Sequence, residues 1–224
     1  MPKTNTETAR ELARLSSDCS FLLSHLIRQN DSRADKDPKE TLELILDLYG
    51  FPYNPSLKAS SVGWYGSATN ANIYNPVSGK FDGSNNSMAV CFTESTLAGL
   101  KAHRDIFNIK YGLAFDRDIL FERGANPCLN IRESILKYSL TLEYEKYSRS
   151  VFNFIPSQLH PFINIIHESF DATHEREWRH AGDLTFKHSD VLFVFCPVED
   201  FATFSVIQSK GRPMLFDLAW LDRI

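Results

Sequence analysis

The stretch "DVLFVFC", residues 190 to 196, constrains this chain most. It begins the longest apolar run, which is far too short to cross a bilayer. A short apolar run bounded by charge and proline reads as a strand. "MAVCFTE", residues 88 to 94, reads as a buried strand, and "IKYGLAF", residues 109 to 115, as another. "NPCLNI", "EREWRHA" and "LTFKH" extend the series. A chain with this many short strands must build a sheet.

Helical patterns lie mostly before and between these runs. Residues 5 to 29 suggest a helix in two pieces, "TETARELARL" and "CSFLLSHLIRQ". Pro38 opens "PKETLELILDLYG", where Leu42, Ile45, Leu46 and Tyr49 recur at helical spacing and Gly50 ends the run. "STLAGLKAHRDIF" reads as a helix capped by Ser95 or Thr96. Residues 133 to 153 read as a long mixed helix, and "SQLHPFINIIHESF" as another, capped by Ser157. The C-terminal "MLFDLAWLDRI" fits a strand and a short helix equally well. Helices come first and strands dominate the end, so the expected class is α+β. One domain over residues 1–224 is expected, with N-terminal helices and a mixed or antiparallel sheet flanked by helices. A Gly/Asn/Ser-rich insert at about 52–87 interrupts it. Trp64, Tyr65 and Tyr74 in that insert point to short strands or a folded lid rather than a linker.

Composition narrows the function classes. With 43% hydrophobic and 23% charged residues, the chain has the make-up of a globular protein. A formal net charge of -4 gives no global attraction to nucleic acid. The cysteines Cys19, Cys91, Cys128 and Cys196 are far apart and form no Cys-x-x-Cys pair. "MPKTNTETAR" has no apolar stretch behind its lysine. The expectation is a cytoplasmic protein with reduced cysteines and no membrane partner. No phosphate-binding glycine loop, dinucleotide fingerprint or Gly-x-Ser-x-Gly nucleophile motif occurs.

The most charged element is "HEREWRH", residues 174 to 180. Read as a strand, it alternates its side chains between two faces. Glu175, Glu177 and Arg179 share one face. His174, Arg176, Trp178 and His180 share the other, with Trp178 in the core or both faces half buried. The two carboxylates then project about 7 Å apart along the strand. Such a pair suits cleavage of an N-glycosidic bond. Glu177 would stabilise an oxocarbenium-like state and Glu175 would orient the nucleophile. The plainer reading is a solvated strand face. His160, His167 and His174 recur every seven residues, but seven residues of helix span about 10.5 Å, too far for one zinc ion. No metal site is expected there.

Several segments together resemble a known family. Cys91, Phe92, Thr93 and Glu94, then Tyr111 and Gly112, then Glu175, Glu177, Trp178 and Arg179 match a bacterial group known as AbiGi-like abortive phage resistance proteins. They also match uncharacterised bacterial proteins that share a Cys/Ser-Phe-Thr/Ser-Glu strand and a Glu-x-Glu-Trp-Arg strand. The resemblance implies a role in antiviral defence or a toxin–antitoxin pair, with a partner protein from a defence operon. Its element order is similar to the ADP-ribosyltransferase fold, a split antiparallel sheet that takes NAD as substrate. Carried over, that likeness makes Glu177 the catalytic acid, assisted by Glu175. His25, Thr93 or Tyr111, and Arg179 would contact the dinucleotide. Two departures stand out: Glu94 replaces a hydroxyl in "FTEST", and the 52–87 insert lies where NAD should approach. Two alternatives follow. One is a non-enzymatic antitoxin or regulatory partner. The other is a metal-dependent nuclease using Glu94, Glu175 and Glu177, with nucleic acid as its target.

Overall fold

The computed structural model describes residues 20–28, 37–50, 52–61, 73–75, 80–82, 88–136, 139–140, 149–150, 155–166, 173–208 and 213–223. In chain order the elements begin with β1 (Leu22–Ile27), α1 (Pro38–Ile45), β2 (Ser56–Leu57), β3 (Ser60–Ser61), β4 (Ile73–Asn75) and β5 (Lys80–Asp82). Next come β6 (Met88–Thr93), α2 (Leu97–Phe107), β7 (Tyr111–Asp116), α3 (Arg117–Glu122), β8 (Asn126–Pro127) and β9 (Leu129–Arg132). A one-turn α4 (Glu133–Leu136), β10 (Ser139–Leu140), β11 (Arg149–Ser150), β12 (Ile163–Ile166) and β13 (Glu177–Ala181) follow. The chain closes with β14 (Leu184–Thr185), β15 (Val191–Phe195), α5 (Phe201–Phe204) and β16 (Met214–Phe216). The class is α+β, with mostly antiparallel strand pairing and several helices. Among the described residues, no helix is long and apolar enough to cross a membrane.

The chain divides into two compact units. The first comprises Met1–Leu57, Phe92–Ala125 and Leu184–Ile224. Its strands run β16-β15-β7-β1, and the Thr93 end of β6 lies beside β1. β15 and β16 are parallel, and the other pairs in this order are antiparallel. Residues directly opposite in such pairs point to one face. Ala114 and Phe195 therefore share a face, and they build a core with Leu100, Ile109, Leu218 and Leu221. Leu100 comes from α2, whose cap is Thr96: its hydroxyl accepts from the Gly99 amide. On the opposite face, Phe115 meets Phe92 and Phe186 edge-on. α1, capped by Asp37, packs against β1 and β7 and buries Leu42 and Leu46.

The second unit comprises Lys58–Cys91 and Asn126–Asp183. Here the first part of β6 pairs with β3 on one side and neighbours β13 on the other. β8 continues the order beyond β13, with Trp178 opposite Pro127 and Arg179 opposite Asn126. β9 and β12 form a parallel pair in which Asn164 donates to the Asn130 side chain.

The structure corrects several expectations. "LLSHLI" is strand β1, not helix, because it pairs along its length with β7. That ladder outweighs the local helical spacing. The "TETARELARL" helix lies outside the described residues. Of the helix expected over 133 to 153, the described residues hold the one-turn α4 and the strands β10 and β11, which pair as an antiparallel ribbon. "SQLHPFINIIHESF" forms a 3-10 helix, Ser157–Phe162, and then strand β12. Pro161 cannot donate to a helical ladder, and Pro156 rather than Ser157 takes the cap position. Asp116 ends β7 and caps α3, so the chain passes directly from strand into helix. The C-terminal segment is strand and then helix: β16, followed by a 3-10 helix at Leu218–Arg223. Tyr49 is exposed rather than on the buried face of α1. The 52–87 insert does contain short strands, β2 to β5.

Candidate functional site: a buried clamp on the Glu-Trp-Arg strand

"HEREWRH" is not one continuous strand. Thr173–Glu175 forms a 3-10 turn, and Arg176 takes a left-handed backbone with φ of 45°. Only at Glu177 does β13 begin. A single left-handed residue breaks strand alternation. Glu175 therefore does not share a strand face with Glu177. Of the two burial patterns expected, the half-buried one holds for Glu177 and Trp178, but not for Arg179. Arg179 is 2% exposed, while Trp178 is only half buried.

Glu177 and Arg179 do share a face of β13, and they grip each other there. Arg179 Nε donates to Glu177 Oε1 at 2.9 Å, and Nη2 donates to Oε2 at 2.9 Å. Nη1 donates to the carbonyls of Pro161 at 3.1 Å and Ile163 at 2.8 Å. The guanidinium thus ties the 3-10 helix and the start of β12 to β13. Burial works against its charge, but Glu177 outweighs that cost and holds Arg179 above its ordinary pKa. Two-point pairing of this kind is the strongest ion-pair geometry available to a carboxylate.

Two thiols flank the pair. Cys91, on β6, hydrogen-bonds the Glu177 carboxylate. Cys128 donates its backbone amide to the Glu177 carbonyl at 2.8 Å. Burial pushes both thiols up, Cys128 to about 12, with the Glu177 charge adding to the rise. Neither is a thiolate at neutral pH, so neither is a nucleophile. A donor at position 91 is what the carboxylate needs, and serine supplies one as well as cysteine does. Cys91→Ser is therefore expected to cost under about 1 kcal/mol, and Cys91→Ala about 1–3 kcal/mol, measured by urea unfolding. Equal losses in the two variants would show that packing, not the hydrogen bond, matters at this position.

The remaining candidates belong to the first unit. Ser24 pairs with Thr93, whereas Ile27 pairs with Tyr111 and His25 with Leu113. His25 and Tyr111 thus point to one face of the sheet and Thr93 to the other. Of Thr93 and Tyr111, Tyr111 is the one that shares a face with His25. The His25 ring lies 6.0 Å from that of Phe92. Tyr111 donates its hydroxyl to Asp200 Oδ2 at 2.6 Å, and Lys39 donates to Asp200 Oδ1 at 2.6 Å. Burial and then Asp200 push the Tyr111 phenol well above its ordinary pKa. Burial opposes the Asp200 charge, but Lys39 and Tyr111 outweigh it and hold the carboxyl below its usual range. Nothing local in the sequence signals this triad, since Lys39 and Asp200 are 161 residues apart.

On the other face, the Thr93 and Ser95 hydroxyls lie 2.9 Å apart. Glu94, also buried, accepts from the Ser20 amide at 3.3 Å and from Arg117 at 3.4 Å. Among the described residues, no three His, Cys, Asp or Glu side chains converge to hold a metal ion.

His160 is buried, and its Nε2 lies 2.9 Å from the Ile155 carbonyl. Burial lowers its pKa below the usual 6.5, and the hydrogen bond to Ile155 only partly opposes this. The unfolded chain therefore binds the proton more readily. Stability contributed by neutral His160 is complete above about pH 6.5 and falls as pH drops through that value toward the folded pKa. The urea midpoint is expected to drop between about pH 7.5 and 5.5, and to drop less in His160→Gln. An identical drop in the variant would assign the effect to other groups.

In comparisons with known proteins, no family model, no curated protein and no solved structure matches this chain.

Proposed function

We propose that this chain is a bacterial anti-phage defence protein that acts by binding, as an antitoxin or regulatory partner, rather than through chemistry at Glu177. One observation carries this reading: both oxygens of the Glu177 carboxylate accept from Arg179, and the side chain is only 9% exposed. A carboxylate that stabilises an oxocarbenium ion and holds a ribose hydroxyl must offer an oxygen to the substrate. With so little of the carboxylate exposed, turning an oxygen toward a substrate breaks the buried pair, at a cost of about 3–5 kcal/mol. The defence context comes from the "CFTE" and Glu-x-Glu-Trp-Arg resemblance.

A second reading, NAD-dependent ADP-ribosyl transfer on an ADP-ribosyltransferase-like fold, draws support from the shared face of His25 and Tyr111. The two readings separate in one assay. Purified wild-type protein and Glu177→Gln are incubated with NAD, and released nicotinamide is measured. Binding without chemistry predicts no release from either protein. It also predicts that wild-type protein neutralises the toxicity of a co-expressed operon partner. Release by wild-type protein that disappears in a Glu177→Gln variant of unchanged circular dichroism would overturn the binding reading.

A further inference from the structure

We draw no further inference here: the strongest candidate, the cleft of about 560 Å³ in the first unit lined by Arg104, Lys110, Glu199, Asp217 and Asp222, carries nothing, because Asp217 is already held by backbone amides and Asp222 by Arg104, and nothing in the structure shows what would fill it.

Discussion

Arg179→Ala is expected to lower the unfolding free energy by about 3–5 kcal/mol, the largest loss of any single substitution on β13. The variant leaves the Glu177 carboxylate without its two-point partner and strips the Pro161 and Ile163 carbonyls of their donor. Most of the cost is the uncompensated charge rather than the lost attraction. The double variant Glu177→Leu/Arg179→Met tests that point. Removing both charges and filling the space with apolar side chains should recover a large part of the loss, because desolvation of the pair disappears with it. Urea unfolding of Glu177→Leu, Arg179→Met and the double variant gives the coupling directly. Additive losses, with no recovery in the double variant, would mean that the two side chains do not act as a pair. The same series bears on function. A structural clamp predicts that loss of function tracks loss of stability across all three variants. A catalytic Glu177 predicts inactivity in every variant that removes it, including the stable double one.

The strands that carry the motifs were legible because their apolar runs are short and sharply bounded. β6, β7 and β15 fall where "MAVCFTE", "IKYGLAF" and "DVLFVFC" place them. α2 was legible for a different reason: its cap and its apolar spacing agree. β1 was not, since "LLSHLI" has no strict alternation and its strand character comes from partners on both sides. At the clamp, alternation correctly put Glu177 and Arg179 on one face. It failed at Glu175, because nothing in "HERE" announces that Arg176 adopts a left-handed backbone. The full burial of Arg179 was not legible from its polar character. Arg179 is buried because four of its N–H bonds have acceptors, and only the folded chain brings the Pro161 and Ile163 carbonyls to it. Tyr111 was singled out from its motif, but its partners Asp200 and Lys39 were not.

Gly112, beside Tyr111, makes the second large prediction. A Cβ at this position would sit 2.6 Å from the His25 carbonyl oxygen and 3.3 Å from Leu26 Cα. The obstacle is backbone, so no side-chain rotation relieves it. Gly112 lies opposite Leu26 on β1 and Phe195 on β15, inside the β15-β7-β1 order of the first unit. Gly112→Ala must therefore push β1 away from β7 and strain the ladder beside it. The expected loss is about 1–3 kcal/mol, read as a lower urea midpoint with an unchanged slope. Gly99→Ala is the control, because it makes the same chemical change with the opposite sign. Gly99 lies in the first turn of α2, and the nearest atom to its added Cβ is at 3.4 Å, ordinary contact. Alanine there reduces the backbone entropy lost on folding and should stabilise the protein by about 0.5–1 kcal/mol. If both substitutions destabilise alike, a general intolerance to added methyl groups is at work rather than the close approach of β1 to β7. If they differ in sign, the glycine of the "YGLAF" strand is there for packing geometry, with no need of a ligand to explain it.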